Sequence, residues 1–133
     1  MPKPIVYADA SDEVRAVYDD IRATRKRDWI NNFWLVIAHH PATLRRIWSA
    51  IKEVMGRPSA IDPLTKEMIY VAVSATNNCA YCIASHTAAA REKGMTDEQL
   101  GELLAIVGLA NETNRLAIGW QVEIDEAFRE PAA

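Results

Sequence analysis

The sequence predicts an all-α protein of about six or seven helices in one domain. Apolar residues recur at the three- and four-residue spacings of a helix face. Good capping residues and terminators fall at the edges of those runs. No alternating strand pattern, hairpin turn signal, repeat or linker interrupts them. A length of 133 residues suits a single hydrophobic core.

The first helix lies in "SDEVRAVYDDIRATRKR", where Val14, Val17, Tyr18 and Ile21 share one face. Ser11 or Asp9 caps it, the acidic residues sit at its positive end, and Arg25, Lys26 and Arg27 close it. "NNFWLVIAHHP" reads as a short buried helix capped by its asparagine pair and stopped by Pro41. His39 and His40 are expected at its C-terminal end, where a cation is favourable. In "PATLRRIWSAIKEVMGRP", Leu44, Ile47, Trp48, Ile51, Val54 and Met55 form one stripe, ended by Gly56 and Pro58.

Asp62 and Pro63 open the next helix as N-cap and first helical residue. Its centre, "MIYVAVSA", has the β-branched content of a strand, but the cap and the lack of a breaker favour helix. "CAYCIASHTAAAREKG" follows, with Asn77 or Asn78 as cap and Gly94 just past its end. "TDEQ" is a capping box, Thr96 with Gln99. It opens a helix with Leu100, Leu103, Leu104 and Val107 on one face. A last helix is expected over "ETNRLAIGWQVEIDEAFRE", with Leu116, Trp120, Ile124 and Phe128 turned inward or onto a neighbouring subunit. Trp29, Trp34, Trp48 and Trp120 read as core or interface anchors.

A net charge of -3 gives no basic surface for nucleic acid. No apolar run approaches the roughly 18 residues of a membrane span. The N-terminal stretch lacks the apolar region of a secretory signal, so a cytoplasmic protein is expected. A structural disulfide is disfavoured there, and a CxxC pair points to redox chemistry or metal.

Both cysteines lie in "NNCAYCIASH". On a helix, Cys79, Cys82 and His86 follow one another along one face. The helix N-terminus favours thiolate over thiol. His86, one turn beyond Cys82, can take its proton. Cys82 then becomes the nucleophile, and Cys79 resolves the oxidised product into a disulfide. If the two helices form an antiparallel hairpin, Glu67 can reach His86 and orient it.

Glu67, followed by Cys79-x-x-Cys82-x-x-x-His86, resembles the motif of the AhpD-like alkylhydroperoxidases in the carboxymuconolactone decarboxylase superfamily. The Asn-x-Cys-x-Tyr-Cys context, "KGMTDEQL" and the upstream "YDDIRATR" and "NNFWLVIAHHP" are similar to its peroxidase-related branch, over roughly residues 11 to 128. The resemblance implies an AhpD-like helical bundle in a homo-oligomer, a dimer, trimer or hexamer. It implies thiol-dependent reduction of a hydroperoxide substrate by Cys82, with Cys79 resolving and Glu67 and His86 relaying the proton. It implies no metal or organic cofactor and an external dithiol reductant. One position departs: the best-studied peroxidases of the family carry a second histidine where this chain has Tyr81. A phenol with a pKa of about 10 is no base near neutrality, so Tyr81 is expected to donate a hydrogen bond to the peroxide or to shape the pocket.

Two other readings of the residues stand beside this one. The pair can act as a redox sensor or disulfide oxidoreductase module without efficient peroxidase turnover. Cys79, Cys82 and His86 can also supply three ligands of a zinc site, with His39 or His40 completing it. As packing alone, the cysteines would be small buried hydrophobes and Glu67 a solvated surface acid.

Overall fold

The computed structural model describes residues 1–129. Among them there is no strand. Six α-helices follow one another: α1 (Asp12–Arg25), α2 (Asn32–Ile37), α3 (Pro41–Ile51), α4 (Pro63–Thr76), α5 (Ala80–Glu92) and α6 (Asp97–Gly119). Short 3-10 turns cover Tyr7–Asp9 and Glu126–Phe128. Two compact units divide the chain, Met1–Pro58 and the residues from Ser59 on. None of the described helices is long and apolar enough to cross a membrane.

In the first unit, Ser11 Oγ accepts the Val14 amide at 3.3 Å and starts α1, as expected. Lys26 ends it in the left-handed region, at φ 52°. Val14, Val17, Tyr18 and Ile21 are buried against Trp34, Ala38, Leu44 and Trp48. Full burial of a side chain such as Ile21 or Leu44 contributes about 1.5–3 kcal/mol. Trp34 and Trp48 meet edge to face, ring centroids 5.4 Å apart. Trp29, by contrast, is exposed.

Two expectations in this unit need correction. His40 does not close α2; it caps the start of α3, where its Nδ1 accepts the Thr43 amide at 3.2 Å. Pro41 has no amide to donate, so it fits the first position of α3 behind that cap. Nor does the stripe of α3 run on to Val54, which is exposed. A π-helical turn over Lys52–Gly56 adds a residue to the last turn and rotates Val54 away from the core.

The second unit is built on a hairpin of α4 and α5. Asp62 Oδ1 accepts the Thr65 amide at 3.0 Å, and "MIYVAVSA" is helical throughout. Local β-branching there yields to the cap and to burial of Glu67, Val71 and Ser74 on one face. Lys93 caps the end of α5, followed by Gly94 at φ 97°. The Met95 amide returns to Ala90 O at 3.0 Å and the Gly94 amide to Arg91 O at 3.0 Å, a Schellman closure with Met95 and Ala90 both buried. The Thr96–Gln99 capping box forms in both directions, at 2.9 and 3.1 Å.

α6 joins what the sequence divides into two helices. It runs unbroken through Asn111, whose Nδ2 donates to Val107 O at 2.7 Å and to Thr76 Oγ1 at 3.2 Å. Leu103 is its one buried residue. Leu116, Trp120, Ile124 and Phe128 do not turn inward; all four are exposed, Trp120 at 80%. The chain leaves the helix at Trp120 and turns through Gln121 at φ 52°, so no helical face continues to Ile124.

Candidate active site

α4 and α5 bring the motif residues together. The connection between the helices is short, and Asn78 makes it by entering the left-handed region at φ 57°. Asparagine tolerates that conformation better than most residues with a side chain. The next residue, Cys79, is the N-cap of α5. Its Sγ accepts the Cys82 amide at 3.3 Å. Neither asparagine takes the cap, as the sequence had suggested, because Asn77 still ends α4 and Asn78 makes the turn.

This placement polarises the pair. Both thiols are free. Cys79 is held below the ordinary thiol pKa by the hydrogen bond from the Cys82 side chain, then by the backbone amides of Cys82 and Tyr81. Cys82 is pushed up by the same hydrogen bond, by burial and by the charge of Cys79. The first proton lost from the pair therefore comes from Cys79. The sequence pointed to Cys82 as the reactive thiol through His86 and placed Cys79 at or near the first helical position, so it did not anticipate Cys79 as the capping atom.

Glu67 is 7% exposed on the buried face of α4. Its Oε2 lies 2.7 Å from His86 Nδ1. Burial acts to raise the carboxyl pKa, but the hydrogen bond and charge of His86 and the cation of Lys93 outweigh it. Glu67 is held below its ordinary value and carries a negative charge. With Nδ1 engaged by a carboxylate, neutral His86 carries its proton there and leaves Nε2 as the basic nitrogen. His86 sits one turn beyond Cys82 on α5, so that nitrogen belongs to the helix face that carries the thiol.

Two neighbours of the motif were not singled out from the sequence. The Tyr70 ring stacks on the His86 imidazole, centroids 3.6 Å apart and planes 19° from parallel. Burial raises the Tyr70 pKa, and the negative charges of Cys82, Glu67 and Cys79 add to it. Its phenol therefore stays protonated beside the thiols. Lys93 Nζ lies 3.3 Å from Glu67 Oε1. The signal for Tyr70 was its position three residues after Glu67, which puts both on one face of α4. Lys93 had no comparable signal, because it reaches Glu67 from the far end of α5. Tyr81, the position of departure, is 43% exposed on the first turn of α5. Among the described residues no group of three or more His, Cys, Asp or Glu side chains is placed to hold a metal ion.

The arrangement supplies a hydrogen-bonded dithiol, a partly buried base held by a carboxylate, and a protonated phenol on the base's ring. It can move a proton away from sulfur and return it without a cofactor.

Comparison with known proteins agrees with this fold. The profile of the carboxymuconolactone decarboxylase family matches residues 41–129. The structure is similar to the crystal structure of the alkylhydroperoxidase AhpD core from Rhodospirillum rubrum, with 50% sequence identity, 96% of this chain and 98% of that chain covered, and a TM-score of 0.86. A peroxidase-related protein from Ralstonia eutropha, 20% identical with a TM-score of 0.55, shares the fold. The alkyl hydroperoxide reductase AhpD of Gluconacetobacter diazotrophicus is 41% identical over 63 residues, which are 47% of this chain and 31% of that protein. Uncharacterized protein 4 in the cox locus of Paracoccus denitrificans is 35% identical over 63 residues, 47% of this chain and 57% of that protein. The matched stretch thus spans only part of each of these two relatives. The helical architecture and the family profile lead to one assignment: the chain belongs to the carboxymuconolactone decarboxylase family, within the AhpD-like superfamily.

Proposed function

We propose that this chain is a thiol-dependent hydroperoxide reductase that cycles Cys79 and Cys82 between dithiol and disulfide. The observation that carries the reading is the 2.7 Å contact between Glu67 and His86 on the hairpin that also bears the CxxC pair. A raised Cys82 pKa means that this thiol needs a base, and His86 is the base on its helix face.

His86 takes the Cys82 proton, and the thiolate attacks one peroxide oxygen. The S–O bond forms, the O–O bond breaks, and Cys82 becomes a sulfenic acid. The alkoxide leaves as an alcohol with the proton from His86. Cys79, already favoured as thiolate, attacks the Cys82 sulfur; the S–S bond forms and hydroxide leaves, taking a proton to become water. An external dithiol then returns two electrons and two protons to the pair. No step calls for a metal. Tyr70, and Tyr81 at the mouth of the helix, are the phenols available to donate to a peroxide oxygen.

The test is consumption of an organic hydroperoxide with a small dithiol as donor. The expected result is sustained turnover with one disulfide formed per catalytic pair when the donor is withheld. A reversible disulfide with no sustained turnover would replace this reading by the redox-sensor one.

The reading includes a homo-oligomer. Its support is the series of exposed apolar side chains along and beyond α6: Leu104, Ile106, Leu109, Leu116, Ile118 and Trp120. Apolar side chains exposed in that number on one helix and its end mark a candidate protein–protein surface. Light scattering at micromolar concentration is expected to give a mass of two or more chains, and a monomer mass would refute it.

A further inference from the structure

Glu67 has two carboxylate oxygens, and the proposed relay uses one. Oε2 meets His86 Nδ1 at 2.7 Å, while Oε1 meets Lys93 Nζ at 3.3 Å. Both partners come from α5, seven residues or about two turns apart, so they approach from one helix face. Glu67 is thus gripped from α5 at both oxygens.

The position of Lys93 is set by the backbone. It is the C-cap residue of α5, and its amide bonds to Ala89 O and Ala90 O at 3.2 and 3.1 Å. Beyond it, Gly94 turns at φ 97° and Met95 closes back on Ala90. A lysine at the end of an exposed helix would normally interact with the last carbonyls or with water. This one instead turns to a carboxylate whose side chain is only 9% exposed, while its own is 36% exposed.

We propose that Lys93 is a positioning residue of the relay: it holds Oε1 of Glu67 so that Oε2 meets the His86 ring in one orientation, and it offsets part of the carboxylate's charge on that ring. The proposal rests on the relay read above. The charged and titratable groups around it are few. Glu67 and Tyr70 face His86 from α4, and Lys93, Cys79 and Cys82 belong to α5 and its cap.

Two consequences follow with definite sign. Without the ammonium, the full negative charge of Glu67 acts on His86, so the imidazolium is favoured and its titration moves to higher pH. Without the second anchor, the carboxylate turns about its last bond, and fewer molecules hold the His86 ring in one orientation.

The experiment is a pH titration of the His86 ring by NMR in the reduced wild type, Lys93→Met and Lys93→Arg. The His86 signal, one of three histidine signals, is identified by its loss in His86→Gln. Lys93→Met is expected to raise the His86 midpoint by about half a pH unit or more. Lys93→Arg is expected to stay near wild type, since it keeps the cation. The acid limb of kcat/KM moves with the ring. Circular dichroism checks folding, and Lys93→Gln replaces the Met variant if that one does not fold. An unchanged midpoint in a folded neutral variant overturns the proposal, as does a Lys93→Arg midpoint that follows Lys93→Met. The titration needs no peroxide, so absent turnover in the wild type would defeat the peroxidase reading and leave this result independently readable.

Discussion

Cys82→Ser is expected to lower hydroperoxide turnover by about 10³-fold or more, because a serine hydroxyl cannot replace the attacking thiolate. Cys79→Ser should behave differently. It keeps the attacking sulfur and loses the resolving one, so it should consume one equivalent of peroxide per chain and then stop. A sulfenic acid trapped at Cys82 by a dimedone-type probe would be its signature. The two variants divide the roles because the two thiols sit in different surroundings. Cys79 ionises first, yet its anion is spread over the Cys82 hydrogen bond and the amides at the start of α5. Nucleophilicity falls as thiol pKa falls, so the more basic Cys82 sulfur attacks better once His86 has taken its proton. Mass spectrometry of each variant after one peroxide equivalent decides the matter. One-equivalent consumption by Cys82→Ser, with the oxidation on Cys79, would reverse the assignment.

Glu67→Gln is expected to act on both activity and stability. The amide still accepts a hydrogen bond from His86 Nδ1 but no longer stabilises an imidazolium. Turnover should fall by about 10²-fold. At neutral pH the fold should lose roughly 1–3 kcal/mol, since a charge-assisted hydrogen bond is removed and Lys93 loses its partner. The lower part of that range is expected, because Lys93 can recover water through its exposed side. The pH dependence has a definite sign. The carboxyl of Glu67 lies below its ordinary 4.5 in the folded chain. Its stabilising contribution is therefore present above that value and lost as pH falls through the lower folded one. Urea unfolding of both proteins at pH 7 and near pH 3 should show the difference between them shrinking in acid. A stability difference that stays constant across this range would mean that the carboxylate charge contributes nothing.

Most of the fold was legible in short stretches of sequence. Ser11, Asp62 and the Thr96–Gln99 box start their helices where their chemistry says, because capping is a contact between neighbours in the chain. The face of Val14, Val17, Tyr18 and Ile21 was readable for the same reason. The failures have a common cause. His40 caps forward instead of closing backward, Val54 leaves its stripe at a π-turn, and Asn111 does not break α6. Each depends on a rival local arrangement that differs by little energy, and packing or a single side-chain bond decides it.

The site divides along the same line. Spacing put Cys79, Cys82 and His86 along one helix face, because an α-helix fixes which positions share a face; Glu67 was named as their partner through the resemblance to the family motif. Tertiary structure decided the rest. The hairpin brings Glu67 to His86 Nδ1, lays Tyr70 on the imidazole and returns Lys93 to the second carboxylate oxygen. It also makes Cys79 the cap of its own helix, which lowers the Cys79 thiol pKa while that of Cys82 is raised. Periodicity along one chain cannot convey such facts, because pKa values and ring orientations are set by charges and burial that arrive from another helix.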